Sequence, residues 1–292
     1  MAPAAGVWPG LAPYRPRQAR DVPLGALAAL AASCQADRPE RLLVLPAAAR
    51  VTDLGGGWVS TPTQVLGLGR QALGLWVVAP PEPAVRARVP LADLVAIDDA
   101  RVLAPFSCSR LSFLACDQRI SMRYDPAAHW AVAEVLQELR RALAGPPLPV
   151  PPLPPPLELD LPYKWQTVAA ARGIGLSGRE RAAVVVGARQ VPGRRDPQEA
   201  LVALTPWEFV VARDATPGGW LKEPYNVDTL YVPRGRLEGL RAAGHRLEIH
   251  AGGTVLAVAL WPALVAAVRE QLVGSLAGLP GEGTHDGRSP GG

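Results

Sequence analysis

Apolar and polar residues alternate with a period of two in several short runs. Leu111, Phe113 and Ala115 share one side of a segment, and Ile120, Met122 and Tyr124 one side of the next. This spacing predicts half-buried strands. Asp117-Gln118 lies between these two runs, and Gly252-Gly253 lies between Ile249 and Val255, so both pairs read as hairpin turns. The period then changes. Asp125 reads as an N-cap with Pro126 at the first helical position, where its fixed φ suits a helix. That helix is predicted to run to about Ala144, with Trp130, Val135, Leu136 and Leu139 on its apolar face. A second helix is predicted from Pro262 to about Leu276, with Val265, Val268, Leu272 and Leu276 at helical spacing.

These elements recur. Asp21-Val22-Pro23 and Asp160-Leu161-Pro162 each open an Ala-rich stretch, and each is followed by Glu-Arg and an apolar run, Leu43–Leu45 and Val184–Val186. Val65–Leu68 falls on Leu201–Leu204 and Val89-Pro90 on Val232-Pro233. Arg110–Ala115 falls on Arg246–Ala251, and that offset continues without a gap to Pro126 and Pro262. An ordered series of this kind is the mark of duplication. Each copy is predicted to begin with a short helix, continue through several strands and close with an amphipathic helix.

Proline distribution places the boundary. Eight of the 32 prolines lie in Pro146–Leu157. Missing amide donors exclude helix and central strand there, so the stretch should form a polyproline II spacer of roughly 35 Å; an alternative is a ligand for aromatic-lined grooves. The expected organisation is a disordered basic arm at 1–20, a first repeat at 21–145, a proline-rich linker at 146–159, a second repeat at 160–279 and a disordered tail at 280–292.

Charge adds little. Lys+Arg is 30 and Asp+Glu 26, a net +4, and all the cations except Lys164 and Lys222 are arginine. The arm carries +3, the first repeat is neutral with 12 cations and 12 acids, and the second carries 14 − 11 = +3. No dense basic face of the kind that binds nucleic acid is implied. Three cysteines are too few for a disulfide scaffold.

Catalytic and metal motifs are sparse. His129, His245, His250 and His285 have no metal-ligand spacing, and none pairs with a Cys-x-x-Cys. His129 and His250 read as satisfied helix and strand residues. Ser60, Ser107 and Ser109 lack a nucleophile elbow, and Cys108 and Cys116 have no convergent partners. Gly173-Ile174-Gly175-Leu176-Ser177-Gly178 matches the dinucleotide fingerprint formally. It follows a predicted helix, Gln166–Arg172, and precedes a predicted strand, Ala183–Val186. A phosphate site needs the reverse order, so a turn is expected. No catalytic, cofactor-binding or metal-binding residue is therefore assigned, and no cofactor is expected.

The order of elements, with Arg41–Leu45, Leu204-Thr205-Pro206-Trp207-Glu208-Phe209 and a Val-Pro before a strand, resembles the bacterial pleckstrin-homology-like and GRAM-like domains. The resemblance implies an α+β, mainly β fold: two half-open barrels, each closed by a C-terminal helix. It implies a non-enzymatic module that binds proteins, including other copies of itself. An alternative is an adaptor for anionic lipid. The family's usual lipid position, the loop after the first strand, would hold Arg189, Arg194 and Arg195 in the second repeat, with Trp220 and Lys222 in a later loop. Three arginines contribute only about 3 kcal/mol at an anionic surface, so a protein partner is preferred. An enzyme or sensor of unrecognised type is a further alternative. The Val22–Ser33 stretch before Cys34 is weighed as an export lipobox against a cytoplasmic location, and the latter is preferred. Ala251–Val268 lacks charge but contains Gly252-Gly253 and Pro262, so it is expected to be strand plus helix and not a membrane span.

Overall fold

The computed structural model describes residues 41–45, 48–52, 58–78, 85–101, 109–125, 128–148, 163–174, 183–189, 198–214 and 226–273. The arm, the Val22–Ser33 stretch, Cys34, most of the linker and the tail lie outside them, as do Arg194, Arg195, Trp220, Lys222 and Leu276.

The fold is mainly β with a few helices, as expected. In the first half, β1 (Arg41–Leu45) leads through a two-stranded ribbon, β2 (Ala48–Thr52) and β3 (Trp58–Thr61), to β4 (Thr63–Leu68), β5 (Ala72–Val78) and β6 (Val85–Pro90). A single 3-10 turn at Leu91–Asp93 then opens β7 (Leu94–Arg101), β8 (Ser109–Ala115), β9 (Arg119–Tyr124) and helix α1 (His129–Leu143). Helix α2 (Tyr163–Arg172) follows. The second half repeats this order, with its first strand followed directly by its second among the described strands and no counterpart of the β2–β3 ribbon described. It has β10 (Ala183–Arg189), β11 (Gln198–Leu204), β12 (Glu208–Asp214), β13 (Val227–Pro233), a 3-10 turn at Arg234–Arg236, β14 (Leu237–Ala243), β15 (Arg246–Ala251), β16 (Thr254–Ala259) and helix α3 (Pro262–Val268).

The register confirms which positions are equivalent. β7 and β8 pair Leu94 with Ala115, slip by one residue, then pair Asp99 with Leu111. β14 and β15 pair Leu237 with Ala251, slip at the same place, then pair Ala242 with Leu247. Asp99 and Ala242 thus occupy the same position of the two halves, as do Arg101 and Gly244.

The halves do not stand apart. β1-β4-β5-β6 form one sheet and β14-β15-β16 another. Between them a seven-stranded sheet runs β10-β11-β12-β13-β7-β8-β9. The join is antiparallel, Val227 opposite Arg101 through Tyr231 opposite Ile97. Among the described residues no sheet closes on itself. Alternation along the shared strands sends side chains into two cores. Leu201, Ala203, Val210, Ala212 and Tyr231 face the cluster built by the first sheet, α1 and α2. Ala200, Val202, Leu204, Phe209 and Val211 face the cluster built by β14–β16 and α3. A strand buried on both faces needs a continuous apolar run, and Leu201–Leu204 supplies one.

Two local expectations are corrected. The α-helix α1 runs from His129, and Pro126, the expected first helical position, lies outside the described residues. Its first turn places Trp130 outward at 54% exposure, because Ala131, Val132, Val135, Leu136 and Leu139 already fill the buried stripe. The second closing helix is not continuous, since α3 passes at Arg269 into a π turn, Arg269–Val273. The glycine turn is as expected: Gly252 and Gly253 have φ of 53° and 71°, conformations that Gly alone adopts without strain.

Candidate functional site

The densest polar chemistry lies in the shared core, where α1 and α2 meet the β7–β13 join. Asp99, fully buried, points inward from β7. Its Oδ2 accepts from Arg101 Nε at 2.8 Å and from Arg172 Nη1 at 2.5 Å, and its Oδ1 accepts from the Tyr124 hydroxyl at 3.0 Å. Arg172, the last residue of α2, also donates to Val227 O at 2.8 Å. One side chain thus ties the carboxylate of the first half to the backbone of the second.

A second arginine repeats the device. Arg140 of α1 donates through Nε to Glu208 Oε2 at 2.9 Å, forms a second bond to Oε1, and caps the end of α2 through Arg172 O and Gly173 O. Its guanidinium lies 4.1 Å from the centroid of the Tyr231 ring, close enough for cation–π attraction. Burial raises the pKa of Tyr231, and burial with the nearby Asp99 carboxylate raises that of Tyr124, so both rings stay neutral. Thr229 Oγ1 and Tyr231 OH are buried there without a hydrogen-bond partner.

His129 sits at the margin of this cluster. Its Nε2 lies 2.7 Å from Ser109 Oγ, and its ring meets Tyr124 edge-on at 5.5 Å. Burial first, then the Arg101 charge, lower its pKa to about 4, so it is neutral at pH 7. Ser109 is fully buried, so the pair is a satisfied contact and not an exposed nucleophile. His250 lies in β15, as expected. Among the described residues no group of three or more His, Cys, Asp and Glu is placed to hold a metal ion.

The equivalent place in the second half is different. Ala242, Gly244, Val265 and Ala266 take the positions of Asp99, Arg101, His129 and Trp130. With Pro262, Arg269 and Glu270 they line an open groove of about 400 Å³. The buried charged cluster of one half is an open groove in the other.

Of the residues expected to bind an anionic ligand, Arg189, Arg194, Arg195, Trp220 and Lys222, only Arg189 is described. It is not in a loop: it is the last residue of β10, paired with Gln198 and exposed. The ladder reaches it because β10 and β11 stay in register to the ends of both strands. Gly173, at the start of the fingerprint-like sequence, turns the chain after α2 with φ of 59°. Gly175 and Gly178 lie outside the described residues.

Sequence reasoning missed Asp99, Arg101, Arg140 and Arg172. The one available signal was an acidic pair, Asp98-Asp99, interrupting the apolar run Leu94–Ala100. No protein-family model, curated protein or solved structure matches the chain. Among the described residues no helix is long and apolar enough to cross a membrane.

Proposed function

We propose that this chain is a non-enzymatic binding and assembly module made of two pleckstrin-homology-like units, acting through protein contacts that include other copies of itself. The observation that carries the reading is the seven-stranded sheet. A unit of this kind already binds another by antiparallel strand addition, and sheet edges at β9, β14 and β16 have no further strand among the described residues. Backbone pairing supplies affinity at such edges, and neighbouring pockets supply selectivity. Leaving out the β2–β3 ribbon, the repeated order of seven strands and a closing helix, each unit with a one-turn 3-10 element before its fifth strand, supports the family likeness.

Photo-crosslinking in the native host tests this reading. A crosslinker at Ala242, or at Val255 on the far edge of the same sheet, is expected to give discrete protein adducts. Absence of protein adducts, with anionic-vesicle binding lost in Arg194→Glu/Arg195→Glu, overturns it in favour of the lipid adaptor.

A further inference from the structure

The join between the halves is heterologous: the fourth strand of the second unit's first sheet, β13, adds to the first strand of the first unit's second sheet, β7. One surface of each type is therefore left over. β6, the counterpart of β13, ends the first sheet, and β14, the counterpart of β7, begins the third; neither outer edge has a strand partner among the described residues. Contacts of this type between copies propagate head to tail.

The backbone geometry of both edges suits the same join. The bond from Leu91 N–H to Gln71 O sets the alternation along β5 and β6. In an antiparallel ladder every second residue turns its N–H and C=O outward, which here selects Arg86 and Arg88. Their counterparts, Thr229 and Tyr231, are two of the residues that pair with β7, opposite Asp99 and Ile97. In β14 the two-residue turn Gly244-His245 makes Ala243 and Arg246 a bonded pair, so Leu240 and Ala242 turn outward. These are the counterparts of Ile97 and Asp99.

We infer that the β14 edge and its adjoining groove are the docking site for the β6 edge of a second copy of this chain. Arg88 lies opposite Leu240 and Arg86 opposite Ala242, in the register of the internal join. The inference rests on the proposed role as an assembly module and names its site. A second copy is the occupant because the chain carries both complementary edges, and their counterparts, β13 and β7, pair in the internal join.

Two features make this contact weaker than the internal one. Ala242 and Gly244 replace Asp99 and Arg101, so no buried carboxylate holds the joint. The β6 edge is also covered at one point: Gln118 Nε2 donates to Arg88 O at 3.1 Å. At the same position of the internal join, the backbone of Tyr231 is opposite Ile97. Gln118 is thus a single-residue cap on the incoming edge.

Sedimentation velocity of the full chain over a concentration series tests the site. The weight-average mass is expected to rise above the 30.8 kDa of one chain. Ala242→Pro removes only an outward N–H, a change edge strands tolerate, and is expected to hold the mass at one chain throughout. Ala257→Pro, on the opposite edge of the same sheet, is the control and is expected to associate like wild type. Gln118→Ala uncaps β6 and is expected to lower the concentration at which mass rises by roughly 3- to 10-fold, the worth of one hydrogen bond. Circular dichroism confirms that each variant is folded. A wild-type chain that is monomeric throughout overturns the inference, and so does association unchanged in both Ala242→Pro and Gln118→Ala. Association abolished by Ala257→Pro alone also overturns the site, while leaving the assembly reading intact.

Discussion

The two halves place the same backbone, with the same one-residue slip between equivalent strands, around two different interiors. At one position of that backbone Asp99 gathers Arg101, Arg172 and Tyr124; at the equivalent position Ala242 faces a groove. The difference lies in what abuts each strand. β7 is covered by β13 and by the end of α2, so its polar group is out of water and every bond to it must come from protein. β14 has no such cover among the described residues, and small apolar side chains there leave nothing buried and unpaired. A buried ionic set is thus the mark of a permanent neighbour, and its absence the mark of a surface that solvent still reaches.

The largest expected break in this contrast comes from Asp99→Ala. It leaves two buried guanidinium groups and a phenol facing a missing carboxylate, and should lower unfolding free energy by about 3–5 kcal/mol, read from urea denaturation. The reciprocal change, Ala242→Asp, puts a carboxylate where the groove is open to water and should cost less than about 1 kcal/mol. Comparable losses from both would dissolve the contrast.

A smaller effect depends on pH. His129 has a folded-state pKa of about 4 against an ordinary 6.5. The unfolded chain therefore binds more protons between these values, and stability falls as pH drops from about 6.5 towards 4. His129→Gln should flatten that part of the Tm–pH curve relative to wild type, with no comparable change above pH 7. The smallest effect has the opposite sign. Thr229→Val removes a buried hydroxyl that has no partner and should stabilise by up to about 1 kcal/mol, seen as a raised urea midpoint.

Much of the fold was legible because its signals are local. The alternation of Leu111, Phe113 and Ala115, the Gly252-Gly253 turn and the offset between Arg110 and Arg246 need no knowledge of distant partners. The shared sheet was not legible for the same reason. Periodicity marks Leu94–Arg101 and Val227–Pro233 as strands but does not say which strand lies beside which. Asp98-Asp99 looks like a surface pair until Arg172, 73 residues further on, reaches it. Trp130 was misread because aromatic character suggests burial, whereas the stripe from Ala131 to Leu139 had no room for it. The anionic-ligand set was a grouping by charge and loop position, and Arg189 belongs to a strand.

The strand exchange at β7 and β13 also orders events during synthesis. Asp99 leaves the ribosome long before Val227–Tyr231, the segment that covers it. At about 5–20 residues per second this interval is on the order of ten seconds. Through it, the first half holds an open strand edge, with the Asp99 carboxylate paired only to earlier-made groups such as Arg101 and Tyr124, so it remains a receptive template that the chain's own later half must reach before a neighbouring nascent chain does.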